Sequence, residues 1–214
     1  HAQELLERII KEKSFACEAV VGLWTANSEL DDVHVFEDLK RSRKLGTFHF
    51  LRRQQPIPNQ PHFCLSDYVA PLESGKTDFI GAFAVCAGNG IEKLAEEFEK
   101  DNDDYSAIMV KALGDRFAEA MAELAHKKIR EWWKFGMSEN LSNQDLIAEK
   151  YQGIRPASGY PSQPDHTEKD TIWHLLSVEE RIGLELTESR AMNPGCSVSG
   201  LYFSNSNARY FNVG

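Results

Sequence analysis

The sequence contains no apolar run approaching the roughly 18 residues needed to cross a bilayer. Its first stretch, HAQELLERIIKEK, lacks the apolar centre of a secretory leader. Cysteine is sparse. Cys17, Cys64, Cys86 and Cys196 are scattered with no C-x-x-C pair, and they read as reduced thiols in a cytoplasmic protein. Positive charge is short as well. Lys and Arg number 24 against 33 Asp and Glu, a net charge of −9, which counts against a phosphate grip on nucleic acid or a broad contact with an anionic membrane. There is no G-x-S-x-G element, no ordered Ser/His/Asp set, and no internal repeat. The seven histidines show no metal-ligand spacing.

What is present is an ordinary globular composition, 42% hydrophobic and 27% charged, over 214 residues. Leu5, Leu6, Ile9 and Ile10 share a helical face at the start. Val20 to Trp24 reads as a strand, ANSELDD as a turn, and Val33 and Val35 as a second strand. GTFHFLRRQQ is a third strand, PIPNQP breaks the chain, and TDFIGAFAVCA is a buried, central strand.

From Ile91 the pattern turns helical, with Val110, Leu113, Phe117, Met121 and Leu124 as one buried stripe. Ser142 caps a shorter helix, with Asp145 three residues on. Asp165 and Glu168 have capping-box spacing before a helix carrying Ile172, Leu175 and Leu176. SVSGLYFSN and ARYFNVG read as a closing hairpin. Strands, then helices, then strands give an α+β fold: an antiparallel or mixed twisted sheet with one long helix and shorter ones.

Two short elements look functional and are read as structural. AGNGIEK has Gly88 and Gly90 but no third glycine and no Walker lysine, so it is a strand-to-helix turn. Asp32-Val33-His34 begins like a D-x-H-x-x-G cobalamin ligand element, but Glu37 stands at the glycine position and the residues fit a hairpin. On the long helix Glu119 projects away from the apolar stripe, flanked by Arg116 and Glu123, which reads as a solvated face.

The stretch YQGIRPASGYPSQPDHTEK is different. Pro156 fixes its own φ and drives Arg155 toward an extended backbone. Gly159 permits unusual φ or close backbone approach. Such a loop either connects two helices or presses its backbone on a flat ligand while Arg155 pairs with a carboxylate or phosphate and Tyr160 adds an aromatic face.

Arg155-Pro156-Ala157-Ser158-Gly159-Tyr160 resembles the R-x-x-x-G-Y signature of the C-terminal activation domain of cobalamin-dependent methionine synthase. The resemblance runs along nearly the whole chain. It includes LRRQQ, FCLSDYVAP, SGKTDFIGAFAV, DDYSAIMVKALGDRFAEAMAE, SENLSNQDLIAEKYQGIRP and the ordered matches around LTES and SVSGLYFS. It implies one domain of a larger multidomain chain, with residues 1–214 a fragment cut at both ends. The family's acidic ligand contact lies upstream of the first residue here, and the family continues past Gly214 with a helical segment.

The resemblance implies a ligand, S-adenosylmethionine, and a task, reductive methylation of an oxidised cobalamin carried by a neighbouring domain of the same polypeptide. It implies an electron donor, flavodoxin or a diflavin methionine synthase reductase. Zinc is implied only in the homocysteine module of the parent chain, and no metal site or catalytic residue in this one. By carry-over, Arg155 meets the ligand carboxylate, and Ala157 and Gly159 offer backbone groups to the adenosyl part. Glu119 neutralises the ammonium, Tyr160 faces the corrin, and Tyr210 with Phe211 forms an aromatic pair near the sulfonium. Phe211 stands where some relatives have tyrosine.

The parent is a methyltransferase, and the fragment alone is not expected to make methionine. Two other readings remain at this point: an interaction module that docks the reductase and gates the cobalamin domain without binding ligand, and a free-standing methyltransferase. The second has neither a Rossmann glycine fingerprint nor a candidate general base.

Overall fold

Two facts about strand β4 (Asp78–Cys86) organise the molecule: both of its edges are paired and both of its faces are covered. In a computed structural model, which describes residues 2–214, β4 lies between β1 (Glu18–Glu29) and β7 (Ser197–Tyr202). Beyond β1 come β2 (Asp32–Phe36) and β3 (Lys44–His49), giving the order β3-β2-β1-β4-β7. Every pairing in this sheet is antiparallel. A separate short hairpin joins β5 (Glu185–Leu186) to β6 (Met192–Asn193).

Side chains alternate along β4 with the period of two that a pleated strand imposes. Phe83 and Val85 meet Ala122 and Ile129 of the long helix α3 (Asp104–Trp133). Ile80, Ala82 and Ala84 share the opposite core with α5 (Glu168–Leu176) and α6 (Val178–Ile182). A strand buried on both faces has no solvent side, which is why FIGAFAVC is almost wholly apolar. Helices α1 (Ala2–Glu12) and α2 (Ile91–Lys100) complete the α3 side, where Leu5, Ile9, Ile91 and Leu94 join Val110.

Several sequence expectations need correction. The first strand does not turn at Ala26 but continues to Glu29, and the turn is only Leu30-Asp31. Two of its buried polar side chains donate to the chain beside them. Asn27 donates to the carbonyls of Ala70 (2.9 Å) and Lys76 (2.8 Å), and Ser28 donates to Val69 (2.8 Å).

The expected stripe on α3 holds at Val110, which is fully buried, and at Leu113, Phe117 and Met121, which pack partly buried against the core. Leu124 is the exception and is exposed, while the small residues Gly114, Ala118, Ala122 and Ala125 are buried beside the stripe. Ser142 and Asp145 do form the capping box of α4 (Asn143–Ile147). Asp165 and Glu168 do not form one. Asp165 instead accepts from the Thr167 N–H and hydroxyl, while the buried Glu168 accepts from the His49 N–H at 3.0 Å.

Residues 208–214 are not a strand. They run beside the 160–163 segment, with the Val213 N–H donating to the Pro161 carbonyl at 3.1 Å. No helix among the described residues is long and apolar enough to cross a membrane.

Candidate functional site

The bend after α4 is stitched to the end of β7. Ile154 and Phe203 exchange both backbone hydrogen bonds at 3.0 Å, and the Leu201 N–H donates to the Pro156 carbonyl at 2.9 Å. Gly153 makes the approach possible. It sits at φ +86°, and a Cβ there would lie 2.2 Å from the Phe203 carbonyl oxygen. Arg155 is thereby held between two backbone anchors.

Its own N–H donates to the Tyr210 hydroxyl at 3.1 Å. Its Nε donates to the Tyr151 hydroxyl at 3.2 Å, and its Nη2 pairs with Glu123, one helical turn beyond Glu119 on α3. Burial works against the guanidinium charge, but the Tyr151 oxygen and Glu123 outweigh it and keep Arg155 protonated. Burial pushes the Glu123 carboxyl up, and the Arg155 charge only partly opposes that.

The C-terminal tail closes the third side. The Ser162 hydroxyl donates to the Phe211 carbonyl at 2.6 Å and accepts from the Phe211 N–H at 3.0 Å. Arg53 holds the tail further on by donating to the Asn212 carbonyl at 3.1 Å.

Between α3, the bend and the tail lies a cavity of about 540 Å³. That is the size of a small-molecule site, commonly ~300–1,000 Å³. Arg155, Ala157, Tyr160, Glu119, Tyr210 and Phe211 all line it, although their positions span nearly a hundred residues of sequence. Phe83 and Val198 supply apolar surface from the sheet.

Gly159 is not on the lining. It sits at φ +98° with its N–H on the Gln163 carbonyl (2.8 Å), and a Cβ there would lie 2.3 Å from His166 Cε1. The Phe211 ring is largely committed to the core, 5.8 Å from Phe63 and 6.4 Å from Tyr68 between ring centroids.

Glu149 also lines the cavity and has no counterpart in the sequence reading. It occupies a left-handed position, φ +53°, just past α4, and no local pattern marks it. Glu123 and Tyr151 were within reach: each stands four residues from a named site residue, Glu119 and Arg155 respectively.

Behind the arginine the polar groups are deeply buried. His126 is stacked on Tyr202 (4.9 Å, 12°) and edge-on to Tyr151 (4.5 Å, 86°). Burial, with Arg155 and Arg130 nearby, pushes its pKa down to about 3, so it is a neutral imidazole. No group of three or more His, Cys, Asp or Glu among the described residues is arranged to hold a metal ion. All four cysteines are free, and burial, with Asp115 beside it, pushes the Cys196 thiol up to about 12, leaving it protonated and unreactive.

The family described as vitamin B12 dependent methionine synthase, activation domain, matches residues 1–214. The chain belongs to this family. Among solved structures, the crystal structure of the MetH reactivation domain bound to AdoHcy superposes on this activation domain with a TM-score of 0.95 at 49% identity. The match covers 100% of this chain and 66% of that one, so the activation domain here spans just under two thirds of that chain's length.

Proposed function

We propose that this activation domain binds S-adenosylmethionine in the Arg155 cavity and presents its methyl group for the reductive methylation of cobalamin, so reactivating methionine synthase. The observation that carries the reading is the convergence of a guanidinium, two carboxylates and two tyrosines on one cavity in a 49%-identical relative of a domain that holds AdoHcy.

The ligand's charges match the lining. Arg155 commits one N–H to Tyr151 and one to Glu123, and the rest of its fork suits the amino-acid carboxylate. Glu119 and Glu149, neither in an ion pair with another described residue, suit the ammonium and the sulfonium. Tyr160, exposed at the rim, and Tyr210 offer aromatic faces to a cation.

Cobalamin, held by a neighbouring domain, supplies the nucleophile that takes the methyl group. A flavodoxin or diflavin reductase supplies the electron. This chain's residues orient the donor, match its charge and exclude water. No acid or base is required of them.

Titration calorimetry with S-adenosylmethionine tests the reading. A saturable signal is expected from the wild type, weakened in Arg155→Ala. No heat from a folded wild type that still captures the reductase would overturn it in favour of a docking module.

A further inference from the structure

Lys169 is a buried lysine with no carboxylate partner among the described residues. It is 6% exposed, and its Nζ donates to the Arg190 carbonyl at 2.9 Å and to His166 Nδ1 at 3.2 Å. A buried ammonium with no counter-charge is costly to keep, and burial pulls its pKa down. Its position therefore calls for a role. The bond to Lys169 makes Nδ1 of His166 an acceptor, which fixes the tautomer and the ring plane.

That ring edge is what covers Gly159, the apex of the bend between Ala157 and Tyr160. The flanks of the bend are anchored, Pro156 to Leu201 and Pro161 and Ser162 to the C-terminal tail, but among the described residues no such tie reaches the apex itself. Its hydrogen bonds from Gly159 to Gln163, from Gln163 to Tyr160 and from Tyr160 to Ala157 are internal to it. Of the bend's buried polar side chains, Ser162 bonds to the tail, whereas Ser158 and Gln163 make no hydrogen bond.

We propose that Lys169 and His166 form a strut from α5 and the 185–193 hairpin to the apex of the bend. Both are then positioning residues for the ligand, acting through Ala157 and Tyr160. This rests on the reading of the cavity as a sulfonium-nucleoside site, and the strut itself is also measurable without ligand.

His166→Asn keeps an acceptor near the Nδ1 position and removes the ring edge from Gly159. Lys169→Met removes the donor. Both variants are expected to bind S-adenosylmethionine about tenfold more weakly than the wild type. In ligand-free protein, both are expected to exchange the Gly159 and Tyr160 amide hydrogens faster. Because His166 is otherwise exposed, His166→Asn is expected to keep a wild-type Tm. Gly159→Ala is expected to lose less affinity in the His166→Asn background than in the wild type.

A lowered Tm with unchanged affinity would make the strut merely structural and overturn the proposal. So would unchanged affinity and exchange in both variants. If the wild type gives no saturable heat, the nucleoside reading fails, and amide exchange still decides the strut.

Discussion

Arg155 and Glu123 are ion-paired across 32 positions of sequence, the arginine from the bend and the glutamate from α3. The pair is shielded, with side chains 11% and 22% exposed. The residue that most resembles a ligand clamp is thus already a structural tie between two walls of its own cavity. Its fork is aimed by Tyr151 and Glu123 before any ligand enters, which lowers the ordering cost of binding.

Breaking that tie has a measurable price in stability. Arg155→Met leaves Glu123 without a partner in a shielded position and is expected to lower unfolding free energy by about 3 kcal/mol. Glu123→Gln keeps an acceptor and is expected to lose about 1 kcal/mol. In urea unfolding of both singles and the double variant, the coupling energy is expected at about 1–3 kcal/mol. A coupling near zero would show that the two side chains act independently.

The two cavity carboxylates are expected to distinguish a cation from a neutral analogue. S-adenosylmethionine carries a sulfonium where S-adenosylhomocysteine carries a neutral thioether. Glu149→Gln is expected to weaken the first by about fivefold to tenfold and to leave the second within about twofold, since a modest charge interaction is worth about 1 kcal/mol. Added salt is expected to narrow the gap. Competitive binding of the two nucleosides to wild type and variant measures it directly.

Much of this fold is legible in sequence because its signals are local. The apolar run in β4 and the Ser142/Asp145 cap are read from neighbouring residues. What was not legible depends on partners far along the chain. Asn27 and Ser28 look like turn residues until the 69–76 segment takes up their hydrogen bonds. Glu168 looks like a cap until the end of β3 claims it. The tail at 208–214 looks like a strand, but its hydrogen bonds go to Pro161 and Ser162. In the site, family likeness supplied six lining residues, yet neither the Glu123 tie nor the Glu149 contribution carries a motif.

Gly153 tests the stitching of the bend. Gly153→Ala places a methyl against the Phe203 carbonyl at a left-handed φ, and it is expected to lose about 2–3 kcal/mol of stability. Gly183 is the control, at φ +62° with nothing within 4 Å of a Cβ, so Gly183→Ala is expected to lose only the conformational part, about 1 kcal/mol. Equal losses in urea unfolding would mean that the close approach to Phe203 contributes nothing.

His126 gives the fold an acid sensitivity of known sign. Its folded pKa of about 3 lies below its ordinary 6.5, because burial, and then the charges of Arg155 and Arg130, oppose protonation. As pH falls below 6.5 the unfolded chain takes up a proton that the folded chain refuses. Stability from this group is therefore complete above 6.5 and is lost progressively toward pH 3. The slope for one proton is about 1.4 kcal/mol per pH unit. Between pH 7 and pH 5 the wild type is expected to lose about 2 kcal/mol more than His126→Phe. That variant keeps an aromatic ring against Tyr202 and Tyr151 and has nothing to titrate. Urea unfolding at the two pH values decides the matter: parallel losses in the two proteins would mean that His126 accepts its proton without leaving the fold.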